Sequence, residues 1–146
     1  MKILVPLDGS KYSIEALHTA IDYAKTKEAE LYFLTVTPWL EDVDLEISAS
    51  EREMLRKSME QRGDSIVNKA CDISMGEGVK AYCKAVVTSI SVPEAIIDFA
   101  EKEKIDLIII GSHGLTPSAR FKMGSVAAQV VKHSPCSVYV VKMPSE

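Results

Sequence analysis

The sequence predicts an α/β fold, a parallel sheet doubly wound with helices on both faces. Three observations carry that prediction. Apolar runs of strand length alternate with amphipathic runs of helix length along all 146 residues. The connections between the strand-like runs are long enough for crossover helices. The run 105–110, IDLIII, is almost wholly apolar, as a parallel strand covered on both faces should be. No repeat, low-complexity segment or linker breaks the pattern, so residues 1–146 are expected to form one domain, long enough to bury a core.

Taken in order, residues 2–8 (KILVPLD) form a short apolar strand ending in the turn Asp8-Gly9-Ser10. From Lys11 to Lys27, the residues Ile14, Leu17, Ile21 and Ala24 recur at helical spacing, with charges on the other faces. Residues 30–37 are β-branched and aromatic, a second strand that Pro38 closes, and 38–49 show no period and read as loop. Ser50 and Glu53 form a capping box that opens a long helix, with Leu55, Met59, Ile66, Ala70 and Ile73 as its apolar stripe. Gly76-Glu77-Gly78 ends it after Met75, because glycine tolerates positive φ. Residues 79–87 alternate enough for a third strand, nearer an edge than the others. Ser91 and Glu94 form a second capping box, with Pro93 in the first turn, and start a helix to about Lys104. The strand 105–110 follows, then a glycine-rich loop and a helix from Ser125 to His133 stopped by Ser134-Pro135. The last strand is 136–142.

Hydrophobic residues make up 47% of the chain and charged ones 26%, the balance of an ordinary globular protein. No apolar stretch approaches the ~18 residues of a membrane span, and the opening run is too short for a secretory signal. A net charge of −4 leaves no general basic surface for nucleic acid. No membrane or nucleic-acid partner is therefore expected, and the location is expected to be cytoplasmic. Cys71, Cys83 and Cys136 have neither disulfide-framework nor zinc spacing and read as reduced, apolar packing residues. His18 and His133 read as surface positions, and Met54, Met59 and Met123 as core or interface filler.

Charge is distributed unevenly. From residue 107 onward Arg120, Lys122, Lys132 and Lys142 face a single acid, Glu146, for a local +3, which leaves −7 on residues 1–106. Inside this stretch, Gly111-Ser112-His113-Gly114 is followed after nine residues by Gly124-Ser125 at the start of a helix. Glycines let backbone amides approach a ligand, and the first turn of a helix favours an anion. The other two well-marked helix starts carry Glu at the third position after their serine, whereas here that position is Ala128. In a doubly wound sheet, ligands bind beyond the carboxyl ends of the strands where strand order reverses, which brings Asp8, Val36 and Gly111 together. Neither GxxxxGK[ST] nor GxGxxG occurs, nor does the second acid of a receiver domain or an HxGH motif.

The spacing G-x-x-G-x9-G-[S/T] resembles the nucleotide-binding signature of the universal stress protein family. The opening ILVPLDGSKYSIEAL resembles the family's first strand and helix. DLIIIGSHGL and GSVAAQVVKHSPCSVYVVK resemble its last two strands and the helix between, so the likeness runs from Lys2 to Lys142. It implies a Rossmann-like sheet of five parallel strands in the order 3-2-1-4-5 and a homodimer paired through the last strand, 136–142. With the loop intact it also implies ATP as ligand, accompanied by Mg²⁺. Matched position by position, Pro6 and Asp8 are implied to face the adenosine part, and the Val36 backbone the adenine edge. Gly111, His113 and Gly114 are implied as the first half of the phosphate loop, and Gly124, Ser125 and Val126 as the second. Two departures stand out: Thr35 where many members carry His, and a loop 115–123 that is polar through Pro117, Arg120 and Lys122.

The expected function is thus an ATP-binding regulatory protein of the stress response, with occupancy ordering the loop 115–123. The alternative is a slow ATPase or self-phosphorylating enzyme on the same fold, for which the sequence offers no base beside the loop. No catalytic or metal-ligating side chain is expected. Asp8 either caps the first helix or receives ribose hydroxyls, and His113 is either a solvated loop residue or a phosphate donor. Trp39 either stacks on a base or anchors the loop or a dimer contact.

Overall fold

A computed structural model describes residues 1–39, 46–115 and 123–144, except for the side chains of Cys83 and Lys84. The expectations for residues 40–45 and for Pro117, Arg120 and Lys122 fall outside the described residues. The elements are β1 (Lys2–Pro6), α1 (Lys11–Lys27), β2 (Glu30–Pro38), α2 (Ala49–Gly76), β3 (Ala81–Ser89), α3 (Val92–Lys102), β4 (Leu107–Gly111), α4 (Ser125–His133) and β5 (Ser137–Val141). The strands form one sheet in the order β3-β2-β1-β4-β5, every neighbouring pair parallel, as the resemblance implies.

The pleat sorts side chains between two cores. Ile3, Val5, Leu31 and Phe33 face α1 and α2, while Leu4, Tyr32, Leu34 and Ile108 face α3 and α4. The central strands are buried on both faces, which explains their near-continuous apolar character. On α1, Ala16, Leu17, Ala20, Ile21 and Ala24 form the buried stripe, and its alanines let the helix lie close to the sheet.

The helix starts refine the sequence reading. α2 begins two residues earlier than expected, because Ser48 rather than Ser50 accepts from the Glu51 amide at 3.1 Å. Two overlapping Ser-x-x-Glu patterns occur here. Glu53, the acid of the inner one, turns outward and pairs with Arg56. The expected Ser91 cap is present, accepting from Glu94. β3 starts later than expected because the Val79 amide still closes the end of α2 on Ser74. Gly78 supplies the positive φ there.

α2 is packed along only half its length. Of residues 49–62, only Arg52 and Met59 are even partly buried, and close packing begins at Gly63. Leu55 and Met54 are accordingly exposed: Leu55 does not join the buried stripe as expected, and Met54 is not part of the core. Met59 and Met123 are half-buried, as are Cys71 and Cys136, neither of which forms a disulfide. His18 and His133 are exposed as expected. Among the described residues, no helix is long and apolar enough to cross a membrane.

Gly63 marks where α2 meets the sheet: a Cβ there would lie 2.8 Å from Val86 Cγ1. Alanine is the better helix former by ~1 kcal/mol, yet overpacking against a stiff β-branched neighbour costs about 1–3 kcal/mol. Gly63→Ala is expected to lower the stability measured by denaturant unfolding. In a Val86→Ala background the same substitution is expected to raise it.

Candidate functional site

The cleft at the carboxyl end of the sheet follows from topology. β1 and β4 are neighbours, but the chain leaving β1 enters α1 on one face and the chain leaving β4 leads to α4 on the other. A crevice must open between the two diverging connections. It holds a cavity of about 380 Å³, within the size range of small-molecule sites. All nine residues singled out from the sequence line it: Pro6, Asp8, Val36, Gly111, His113, Gly114, Gly124, Ser125 and Val126.

One end is an apolar slot. Leu34 and Val36 of β2, Ile110 of β4, Val92 and Ile96 of α3 and Val126 of α4 form its walls. The side chains of these walls offer a ligand no polar atom. Val92 and Ile96 escaped the sequence reading, where they show only as part of an amphipathic helix.

The other end is polar. Asp8 does not cap α1; Ser10 does, accepting from the Ser13 amide at 3.2 Å. Asp8 Oδ1 instead accepts from the Ser10 amide at 2.9 Å, which closes the turn leading into α1 and aims the carboxylate at the cleft. Gly9 completes this turn at φ +84°, a conformation that side chains rarely adopt. Ser13, buried and also lining the cavity, donates to the Ser10 carbonyl at 3.0 Å. His113 is not a free loop residue. Its Nδ1 lies 2.9 Å from Ser112 Oγ, and its ring packs against Tyr12 with centroids 5.1 Å apart. Ser112 is 2% exposed and was not anticipated, since a serine between two expected residues carries no signal of its own.

The loop glycines act by closeness rather than by dihedral angle, for none of the three has a positive φ. A Cβ on Gly111 would lie 2.7 Å from the Tyr12 carbonyl oxygen, so this glycine lets α1 pack against the end of β4. A Cβ on Gly114 would meet only Asp8 Oδ2, at 3.0 Å. One on Gly124 would come 3.1 Å from the Ser112 carbonyl oxygen, which also accepts from the Gly124 amide.

That bond delivers the chain to α4 in an unusual state. α1, α2 and α3 are each capped by a serine side chain, whereas the N-cap of α4 is Gly124, with no side-chain bond and no acid in the first turn. The first intrahelical bond runs from the Ala128 amide to the Gly124 carbonyl, so the amides of Ser125, Val126 and Ala127 have no acceptor within the helix. All three residues line the cavity. Ser125 therefore occupies the first helical position and is not the cap. Trp39 stays outside this cavity and is 39% exposed, so it does not stack on a group bound there.

An α/β protein with an uncapped helix end at its switch point defines a class, and comparison with known proteins places the chain in it. The model of the universal stress protein family matches residues 1–142, and the chain belongs to that family. Among individual relatives, a universal stress protein of Methanocaldococcus jannaschii is 36% identical over 146 residues, covering 99% of this chain and 84% of that one. A solved universal stress protein from Lactobacillus plantarum superposes with a TM-score of 0.83 at 25% identity, covering 97% of each chain. The universal stress protein from Archaeoglobus fulgidus in complex with dAMP has the same fold, with a TM-score of 0.62, 22% identity and coverage of 97% and 98%.

The glycines separate stability from ligand access. Gly111→Ala drives a methyl into the Tyr12 backbone and is expected to cost about 1–3 kcal/mol, read as a lowered Tm. Gly114→Ala displaces only a carboxylate terminus and is expected to leave Tm nearly unchanged.

Proposed function

We propose that the chain, acting as one domain over residues 1–146, is a cytoplasmic ATP-binding regulatory protein of the stress response. The observation that carries this reading is the uncapped start of α4, opening into the same cavity as an apolar slot and a single acidic side chain. Three free amides at the positive end of a helix suit phosphate oxygens. The slot between Val36, Ile110 and Val126 suits the adenine ring, and Asp8, between slot and helix, suits the ribose hydroxyls. The dAMP complex of the Archaeoglobus protein supports the reading, because it shows that this fold can hold an adenine nucleotide.

His113, oriented by Ser112, stands beside the phosphate end as a donor. Mg²⁺ enters with the triphosphate. Among the described residues no group of three His, Cys, Asp or Glu side chains could hold a metal. The phosphates and water would therefore supply most of its oxygens, with Asp8 the carboxylate nearest to hand. β5 is an edge strand that pairs only with β4 and exposes Ser137 and Tyr139. Homodimerisation through residues 136–142 would cover that edge.

Calorimetry with ATP and Mg²⁺, and analysis of nucleotide released from the denatured protein, test this reading. Gly114→Val should abolish binding while the protein stays folded, because two further methyl groups fill the approach to Asp8 and α4. Ser125→Asp separates the electrostatic part. An acid in the first turn should stabilise the helix by about 0.3–1 kcal/mol yet weaken ATP roughly tenfold or more, since it sits where phosphate belongs. Unchanged ATP affinity in both folded variants would place the nucleotide elsewhere.

A further inference from the structure

A second cavity, of about 570 Å³, lies where the carboxyl ends of β2 and β3 meet the first half of α2. Thr37, Pro38 and Trp39 line one side, and Arg52, Arg56 and Met59 the other. Two guanidinium groups thus enter one space, in very different states. Arg56 is committed. It donates to both Glu53 oxygens, at 3.0 and 2.6 Å, and to Glu60 at 3.2 Å. These bonds hold the Glu53 carboxyl below its ordinary range.

Arg52, one turn nearer the helix start, has no such partner. Its Nε is buried and finds no acceptor among the described residues. A buried N–H left unpaired is costly and rare, the more so on a charged group. Asp64, the remaining acid among the described residues that line the cavity, lies three turns further along α2, roughly 18 Å of helical rise from Arg52. It cannot serve that end. The burial that leaves Nε unpaired also closes it to a ligand, so a carboxylate would meet the guanidinium end-on, its two oxygens side by side against the two Nη atoms.

The other walls suit a ring. Trp39 offers an indole, flanked by Pro38, Met59 and Val86. Thr37 Oγ1 donates to the Val87 carbonyl at 3.3 Å and lies 3.0 Å from Thr88 Oγ1. The proton of the second contact therefore comes from Thr88, whose own oxygen keeps lone pairs for a donor on a ligand.

We propose that this cavity binds a small aromatic carboxylate, with its charged head on Arg52 and its ring against Trp39. The site is separate from the nucleotide cavity, and the proposal does not depend on ATP binding.

Trp39 is the chain's only tryptophan, so its emission reports on this cavity directly. Titration of the whole chain with benzoate should change that emission saturably, with a Kd on the order of millimolar for so small a probe. Benzamide, the same ring without the charge, should bind at least about tenfold more weakly, as should benzoate to Arg52→Gln. Arg52→Lys should fall between, keeping the charge but losing the paired donors. Inorganic phosphate should leave the emission unchanged, and saturating ATP should leave the benzoate curve in place. An equal response to benzamide, an unaffected Arg52→Gln or the absence of saturation would overturn the proposal. Saturation by phosphate alone would overturn the role of the ring, and competition by ATP would move benzoate to the first cavity.

Discussion

The contact between the Tyr12 backbone and Gly111 sets the geometry at the carboxyl end of the sheet. With no side chain on Gly111, the first turn of α1 lies directly against the end of β4. Asp8 and Gly114 then face each other across the cleft, and Tyr12 backs the His113 ring. A larger residue at 111 would push α1 away and pull these groups apart. One missing Cβ thus ties the packing of the core to the shape of the cavity.

A second economy concerns helix ends. A serine cap satisfies an amide at three of the four helix starts, and at two of them an acid follows within the first turn. The fourth helix has neither, and it is the one whose first turn lines the cleft. The chain thus caps the three helices whose first turns do not line the cleft as α4's does. At α4 the free amides remain an unmet demand for negative charge, which lowers the local stability of that helix end.

Much of this was legible beforehand, for physical reasons that differ from residue to residue. Strand and helix alternation showed in the apolar periods of 3–7, 14–24 and 105–110, because buried faces leave a periodic trace. The nine cavity residues could be named because a topological rule and a family resemblance converge on the same strand ends. What stayed hidden depends on distance in space. Gly111 reads in the sequence as a glycine that lets backbone amides approach a ligand, yet its tightest constraint comes from Tyr12, ninety-nine positions away. Ser48 and Ser50 offer the same capping pattern, and only the path of the preceding chain chooses between them. Ser112, Val92 and Ile96 owe their place to packing, which leaves no local signature.

The uneven packing of α2 divides one continuous helix into two thermodynamic regions. From Gly63 to Gly76 its residues interlock with the sheet, so their amides should open to solvent only when the core itself opens. From Ala49 to Arg62 the helix rests on its Ser48 cap and on exposed pairs such as Arg56 with Glu53 and Glu60, each worth only a few tenths of a kcal/mol. That outer half can unwind and re-form while the sheet, the first cavity and the Tyr12–Gly111 contact stay intact. The wall that carries Arg52 is therefore the least stable part of a helix anchored in one of the most stable, and its order is the property a bound molecule would change first.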